Sequence, residues 1–310
     1  MNEIHYNGIT YKYNKVANIR TVYTEKSALD EIKQLPEVIQ ITNHTVNTWQ
    51  PDRSYDEILT DTAQGKLVES MFMAVVSSNS DLEYVSYDAM RTDNWEKHAP
   101  FDGLLFKKNN VYFQEGIRLI GIDVNGNAYG KISADTIKWL TDHRLYTVEV
   151  KSSRVPDRDY PNRPIEEFNS NPYQEELIRN LMNRDLFVYP KYTRSAGRTI
   201  HSFQQYVAYV KNKISFINEM GPDAVNYILN QERIEKCNIY TRIFVDKDSS
   251  NNIVAYLPGY VRKEQFFEAP QIINMSRRNK SEGALNYVFP FEKAKRVQEL
   301  SSDSVLWGKE

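Results

Sequence analysis

Two short stretches of this chain carry acids and a lysine at spacings that could act on a phosphate. Residues 146–153 read YTVEVKSS. On a strand, side chains two apart share a face, so Glu149 and Lys151 stand together while Val148 and Val150 turn the other way, against a helix. Taken alone, such a pair is an ordinary exposed salt bridge, worth little. Residues 99–106 read APFDGLLF. The single acid Asp102 precedes Leu104, Leu105 and Phe106, a run that wants to be a buried strand. Gly103 would let another group approach the backbone closely. Alone, Asp102 could be no more than a strand-start or turn acid.

The pair says more than either part. Magnesium is a hard cation that takes oxygen ligands, usually one or two carboxylates with waters and substrate phosphate. Adjacent strands carrying Asp102 and Glu149 to one rim would make such a site. A neighbouring lysine would polarise an attacking water or offset charge building on the phosphate.

PFD at 100–102 followed by EVK at 149–151 resembles the PD-(D/E)xK nuclease superfamily, which includes restriction endonucleases, phage-type exonucleases and repair nucleases. The order of elements is similar as well: a helix with an acid, the Asp strand, the ExK strand, a helix, then further strands, over roughly residues 60–267. The resemblance implies a restriction-endonuclease-like α/β (α+β) fold, a mixed central β-sheet flanked by helices. It implies a DNA nuclease using Mg²⁺, with Mn²⁺ as substitute. An endonuclease of restriction or phage type is expected first, working as a monomer or a homodimer. An exonuclease or recombination-type enzyme, or a non-cleaving nucleic-acid-binding relative, is the alternative. Asp102 and Glu149 would bind the metal, with the Val150 carbonyl as a further ligand, and Lys151 would orient or activate water. Glu69, in KLVESMF, matches the acid on the family's first core helix that helps hold metal or water. It lies outside that helix's apolar stripe, so a solvated surface glutamate stays open. QYVAY at 205–209 fits the family's QxxxY pattern. Gln205 and Tyr209 lie one turn apart, facing either the site or water. Forty-six residues separate Asp102 from Glu149 and leave Asp123 as a rival acid, although its neighbours Val124 and Asn125-Gly126 favour a turn role for it.

The elements that must position these residues follow from periodicity and turn chemistry. Residues 4–23 alternate around Asn7-Gly8, as a hairpin would. Residues 27–34 read as a short helix stopped by Pro36, with irregular or strand-bearing chain up to about 51. Leu67, Met71, Phe72 and Val75 make a helical stripe over 61–76. Strands are expected at 82–87 and 100–106. Two more, at 111–123 and 128–132, would join across Asn125-Gly126, before a helix at 133–142 and the strand 145–151. Residues 152–173 look like a long excursion, and 174–184 like a helix. Phe203, Val207, Val210, Ile214 and Ile217 predict one long helix over 200–220, and 223–235 reads as another. Late strands at 239–245 and 253–261 flank a polar turn. The division expected is an N-terminal extension at 1–58, the catalytic core at 59–270, and a polar tail at 271–310 with a last helix near 291–300.

DNA contacts would come from the acid-free run 191–213, with Lys191, Arg194, Arg198, Lys211 and Lys213 and a flexible Ser195-Ala196-Gly197. A solvated basic face is the bland alternative. His201 falls near Arg198 and Gln205 on that face. Arg277, Arg278 and Lys280 read as solvated. His5, His44, His98 and His143 have no metal-ligand spacing.

The bulk numbers exclude more than they specify. The chain has 310 residues, net charge −2, 41% hydrophobic and 26% charged residues. That is an ordinary globular balance, neither disordered nor fibrous. Apolar runs fall short of the roughly 20 residues a bilayer span needs. No signal pattern opens the chain, and the single cysteine, Cys237, excludes a disulfide framework, so a cytoplasmic setting is expected. No Gly-rich phosphate loop, HExxH helix or GxSxG elbow supports a rival enzyme.

Overall fold

The alternating N-terminal stretch folds into three antiparallel strands, β1 (Asn2–Tyr6), β2 (Ile9–Val16) and β3 (Ile19–Thr24). Tyr6 faces Ile9 across the first turn, where Gly8 takes φ +78°, a left-handed conformation open to glycine. The structure, a computed structural model, describes residues 2–6, 8–16, 19–48, 53–78, 81–93, 95–155, 171–184, 186–191, 200–234, 236–247, 252–276 and 283–308. Helix α1 (Lys26–Lys33) follows as expected. Pro36 does not end regular structure, however. It opens α2 (Pro36–Thr48), since its missing N–H costs nothing at a helix start. The irregular reading of this stretch is thereby corrected.

Helix α3 (Tyr55–Ser77) starts earlier than its apolar stripe, because Ser54 and Glu57 form a capping box ahead of it. Its second half is buried almost all round, including Val68, Met73, Ala74 and Val76 beside the expected stripe. Next come β4 (Leu82–Ser86), α4 (Tyr87–Met90) and β5 (Gly103–Lys107). The hairpin expected across Asn125-Gly126 is absent. Residues 113–126 are α5 (Phe113–Gly126), and no strand forms at 128–132. Ile117, Ile120 and Val124 recur at helical spacing and pack into the core, and that face outweighs the Asn-Gly turn signal. Helix α6 (Ala134–Asp142), capped by Ser133, leads into β6 (Tyr146–Arg154).

The remaining elements are α7 (Asn171–Arg184), β7 (Leu186–Lys191), α8 (Phe203–Lys213), α9 (Ser215–Glu219) and α10 (Ala224–Ile234). They are followed by β8 (Ile239–Lys247), β9 (Ile253–Leu257), β10 (Tyr260–Arg262), α11 (Lys263–Glu268), β11 (Ile272–Ser276), β12 (Gly283–Pro290) and α12 (Ser304–Trp307). The single helix expected over 200–220 is two, broken at Ile214 (φ −126°, ψ 98°). The break leaves Ile214 39% exposed while Ile217 reaches the core. The polar tail is corrected too. Strands β11 and β12 form a second sheet in the order β11-β12-β7, and 3₁₀ turns at 291–293 and 297–302 replace the expected last helix.

The main sheet runs β1-β2-β3-β9-β8-β6-β5-β4, with β10 on β8. It is a curled, mixed sheet flanked by helices, so the chain is a mixed α/β protein. The N-terminal strands join it through β3 against β9. Among the described pairings only β6 with β8 is parallel, with Val148 opposite Ile239. That pairing needs a crossover, and the chain supplies it through α7 to α10. One face of the sheet, with Leu105, Val148, Ile239 and Ile243, packs on α3. The other, with Tyr240 and Phe244, packs on the second sheet's Phe187 and Tyr287 and on Phe291. Among the described residues no helix is long and apolar enough to cross a membrane.

Candidate active site

Strand β5 is shorter than β6, and the residue just before β5 makes the site. Gly103 pairs with Val148, and the Asp102 N–H donates to the Val148 carbonyl at 3.0 Å. Two residues further along β6, Val150 pairs with Thr241 of β8 on one side but has no β5 partner on the other. The Asp102 side chain takes that place, with Oδ2 accepting the Val150 N–H at 2.6 Å. A residue's N–H and C=O leave a strand on the same side, so the Val150 carbonyl also lies on the Asp102 edge. Glu149 and Lys151 flank Val150 and pair directly with each other, keeping 20% and 40% of their side-chain surface accessible. Asp102, Glu149 and Lys151 therefore meet, as their types suggested. Val148 is fully buried on the opposite, α3-packed face.

Glu69 enters from α3 and is not a solvated surface acid, being only 5% exposed. The Tyr84 hydroxyl donates to its Oε1 at 3.3 Å, and Lys66 holds Oε2 at 2.7 Å. Lys66 also pairs with Asp88, whose other oxygen lies 3.6 Å from Arg91. Gly103 makes room for this arrangement. A Cβ there would stand 2.4 Å from the Tyr84 ring, so only glycine lets the ring lie against β5.

The electrostatics tie these groups into one cluster. Burial pushes the Asp102 carboxyl up to about 8, with Glu149 adding to the rise and Lys151 opposing it; Glu69 and Lys66 contribute in the same two senses. Burial also raises Glu69 above the usual carboxylate range, outweighing Lys66. For Lys151 burial works against the charge, but Glu149 and Asp102 prevail and hold the ammonium more firmly than in a free lysine. Cys237, which the sequence marks only as ruling out disulfides, is buried with Sγ 3.9 Å from Glu149 Oε2. Burial and the Glu149 and Asp102 charges push its thiol well up, so it sits there as a neutral S–H. Sequence reasoning missed Cys237, Tyr84, Lys66 and Asp88. Gly103 beside an acid was the one local signal that pointed towards Tyr84.

Other expected residues lie elsewhere. Ser202 caps α8, Gln205 Oε1 accepts the His201 N–H ahead of it at 2.6 Å, and Tyr209 packs against the core beside Lys213. Lys211 reaches the Gly221 carbonyl at 3.4 Å. Lys191 ends β7, while Arg194 and Arg198, with Arg277, Arg278 and Lys280, lie outside the described residues. Asp123 is on α5, and its Oδ2 accepts the Ser133 N–H at 2.7 Å, which ties α5 to the start of α6. Thus the acid of the cluster is Asp102.

A groove of about 640 Å³ opens beyond Lys151, between the end of β6 and the first turns of α3. Arg53, Gln64 and Arg154 line it together with the acids Asp56, Glu57 and Asp61, the last pairing both arginines at 2.5 and 3.1 Å. Among the described residues no group of three His, Cys, Asp or Glu side chains is arranged to hold a metal ion. Asp102, Glu149 and the Val150 carbonyl still suit magnesium, which commonly takes one or two carboxylates and completes its shell with water and phosphate. Comparison with family models, curated proteins and solved structures finds no match to this chain.

Proposed function

We propose that this chain is a Mg²⁺-dependent DNA nuclease of PD-(D/E)xK type, hydrolysing phosphodiester bonds at Asp102, Glu149 and Lys151. The observation that carries the reading is the bond from Val150 N–H to Asp102 Oδ2 at 2.6 Å. It sets an acid from before β5 between Glu149 and Lys151, residues 47 and 49 positions further along the chain. The element order supports it as well: α3 with Glu69, β4, β5, β6, a helical crossover, then β8 parallel to β6.

Asp102 and Glu149, with the Val150 carbonyl, would hold the metal. Magnesium, when bound, polarises a phosphate oxygen and lowers the pKa of the attacking water. Lys151 orients that water and offsets the charge that builds on the phosphate. Glu149 keeps Lys151 protonated until substrate arrives. An endonuclease is the form we favour, and two copies would reach both strands.

The test is incubation of linear and circular DNA with Mg²⁺, Mn²⁺ or EDTA, alongside Glu149→Ala. Discrete metal-dependent fragments, absent with the variant, are expected. Loss of linear DNA alone would make the enzyme an exonuclease. A second reading, a relative that binds DNA without cutting it, is favoured by the direct Glu149–Lys151 pair, which occupies both groups that hydrolysis needs. DNA binding with no cleavage under either metal would decide for it.

A further inference from the structure

Lys66 stands one helical turn before Glu69 on α3, so the two share a face. Its ammonium lies 2.7 Å from Glu69 Oε2 and pairs with Asp88 Oδ2 from α4. The other oxygen of Glu69 takes the Tyr84 hydroxyl from β4, and that of Asp88 faces Arg91. Three elements therefore fix one cation between two carboxylates, and Tyr84, which holds Glu69, lies against Gly103, the neighbour of Asp102. Burial opposes the charge on Lys66, but Glu69 and Asp88 outweigh it, so the ammonium stays protonated.

The acids on the α3 side of Asp102 are Glu69 and Asp88, and the Lys66 ammonium already sits between them. A held ammonium can stabilise charge there as a second cation would, without being taken up from solution. We propose that Lys66 occupies the place of a second metal ion, so that each active centre takes a single divalent ion, at Asp102 and Glu149. This rests on the nuclease reading above. Without Lys66, Glu69 and Asp88 would lose their shared counter-charge and must protonate or gather another cation.

The experiment counts Mn²⁺ bound by the full chain without DNA, by electron paramagnetic resonance and calorimetry. The parent, Lys66→Arg and Glu69→Gln should each bind one ion, and Glu149→Ala none. Lys66→Met should bind a second, weaker ion that disappears again in Lys66→Met/Glu69→Gln. Two ions on the parent would overturn the role of Lys66 and leave the nuclease reading standing. A single ion on a Lys66→Met protein that melts like the parent would overturn that role equally. If Lys66→Met fails to fold, Glu69→Gln decides, because loss of the ion there would make Glu69 a ligand and overturn the inference. An empty parent at millimolar Mn²⁺ would overturn both readings.

Discussion

The Asp102 side chain accepts the Val150 N–H at 2.6 Å, so it replaces the ladder partner that β5, beginning at Gly103, is two residues too short to supply. This bond has two roles that substitution can separate. Asn keeps an oxygen acceptor but discards the charge. Asp102→Asn should therefore melt at or above the parent temperature while cleavage falls by on the order of 10²–10³-fold. Asp102→Ala should also orphan the Val150 N–H and cost about 1–3 kcal/mol in urea unfolding. An Asp102→Asn protein that cleaves like the parent would remove Asp102 from the chemistry.

Asp102 also makes metal-free stability depend on pH. Its carboxyl, raised by burial and then by Glu149, titrates at about 8 in the fold against 3.8 ordinarily. The folded state binds this proton more tightly than the unfolded chain does. The stability it confers is complete below about pH 4 and is lost as pH rises through about 8. The EDTA-treated protein should melt lower at about pH 8 than at about pH 5. Mg²⁺ should restore most at the higher pH, because cation and proton compete for one carboxylate. Asp102→Asn should flatten the profile. A parent profile that rises with pH relative to that variant would contradict the assignment.

Gly103 is expected to be intolerant of any side chain. A methyl group there meets the Tyr84 ring at 2.4 Å, and the ring must leave Glu69 to make room. Gly103→Ala should cost about 1–3 kcal/mol, the range for overpacking a filled core. Most of that cost should vanish in a Tyr84→Leu background, which a double-mutant cycle would read. An equal cost in both backgrounds would mean that the ring is not what the methyl group meets.

The C-terminal segment is held by Asp303, which is 2% exposed. It accepts from the Tyr260 hydroxyl at 2.7 Å and the Val305 N–H at 3.0 Å, and pairs with Lys295 at 2.7 Å and Arg262 at 3.2 Å. Burial alone would raise this carboxyl, but Lys295 and Tyr260 lead the partners that hold it below 3.8. Its contribution is therefore present above about pH 4 and is lost as pH falls through the folded value. Asp303→Ala should cost about 2–4 kcal/mol at neutral pH, because it strands a buried hydroxyl and two half-buried cations together. Denaturant titration of the two proteins measures it, and a cost under about 1 kcal/mol would show an ordinary surface pair.

What the sequence determined by itself was local. Glu149 and Lys151 share a face because strand side chains alternate, and that periodicity is written in YTVEVKSS. The run after Asp102 is apolar enough to be a strand anywhere, and Ser54, Glu57 and the α3 stripe specify a helix without help. Where two local signals competed, tertiary packing chose. Ile117, Ile120 and Val124 found a core to bury in, so the Asn125-Gly126 turn signal lost. Pro36 opened a helix because α2 had α3 to pack against. The partners of the site were decided only in three dimensions. Nothing near Glu69 announces that Tyr84 and Lys66 will take its two oxygens, or that Cys237 will settle beside Glu149 from 88 positions away. The joining of β7 to β12 was equally hidden, since strands that pair across 94 to 104 residues leave no period in the chain. Burial and pairing are properties of what arrives from elsewhere, and a single sequence records only what each segment brings.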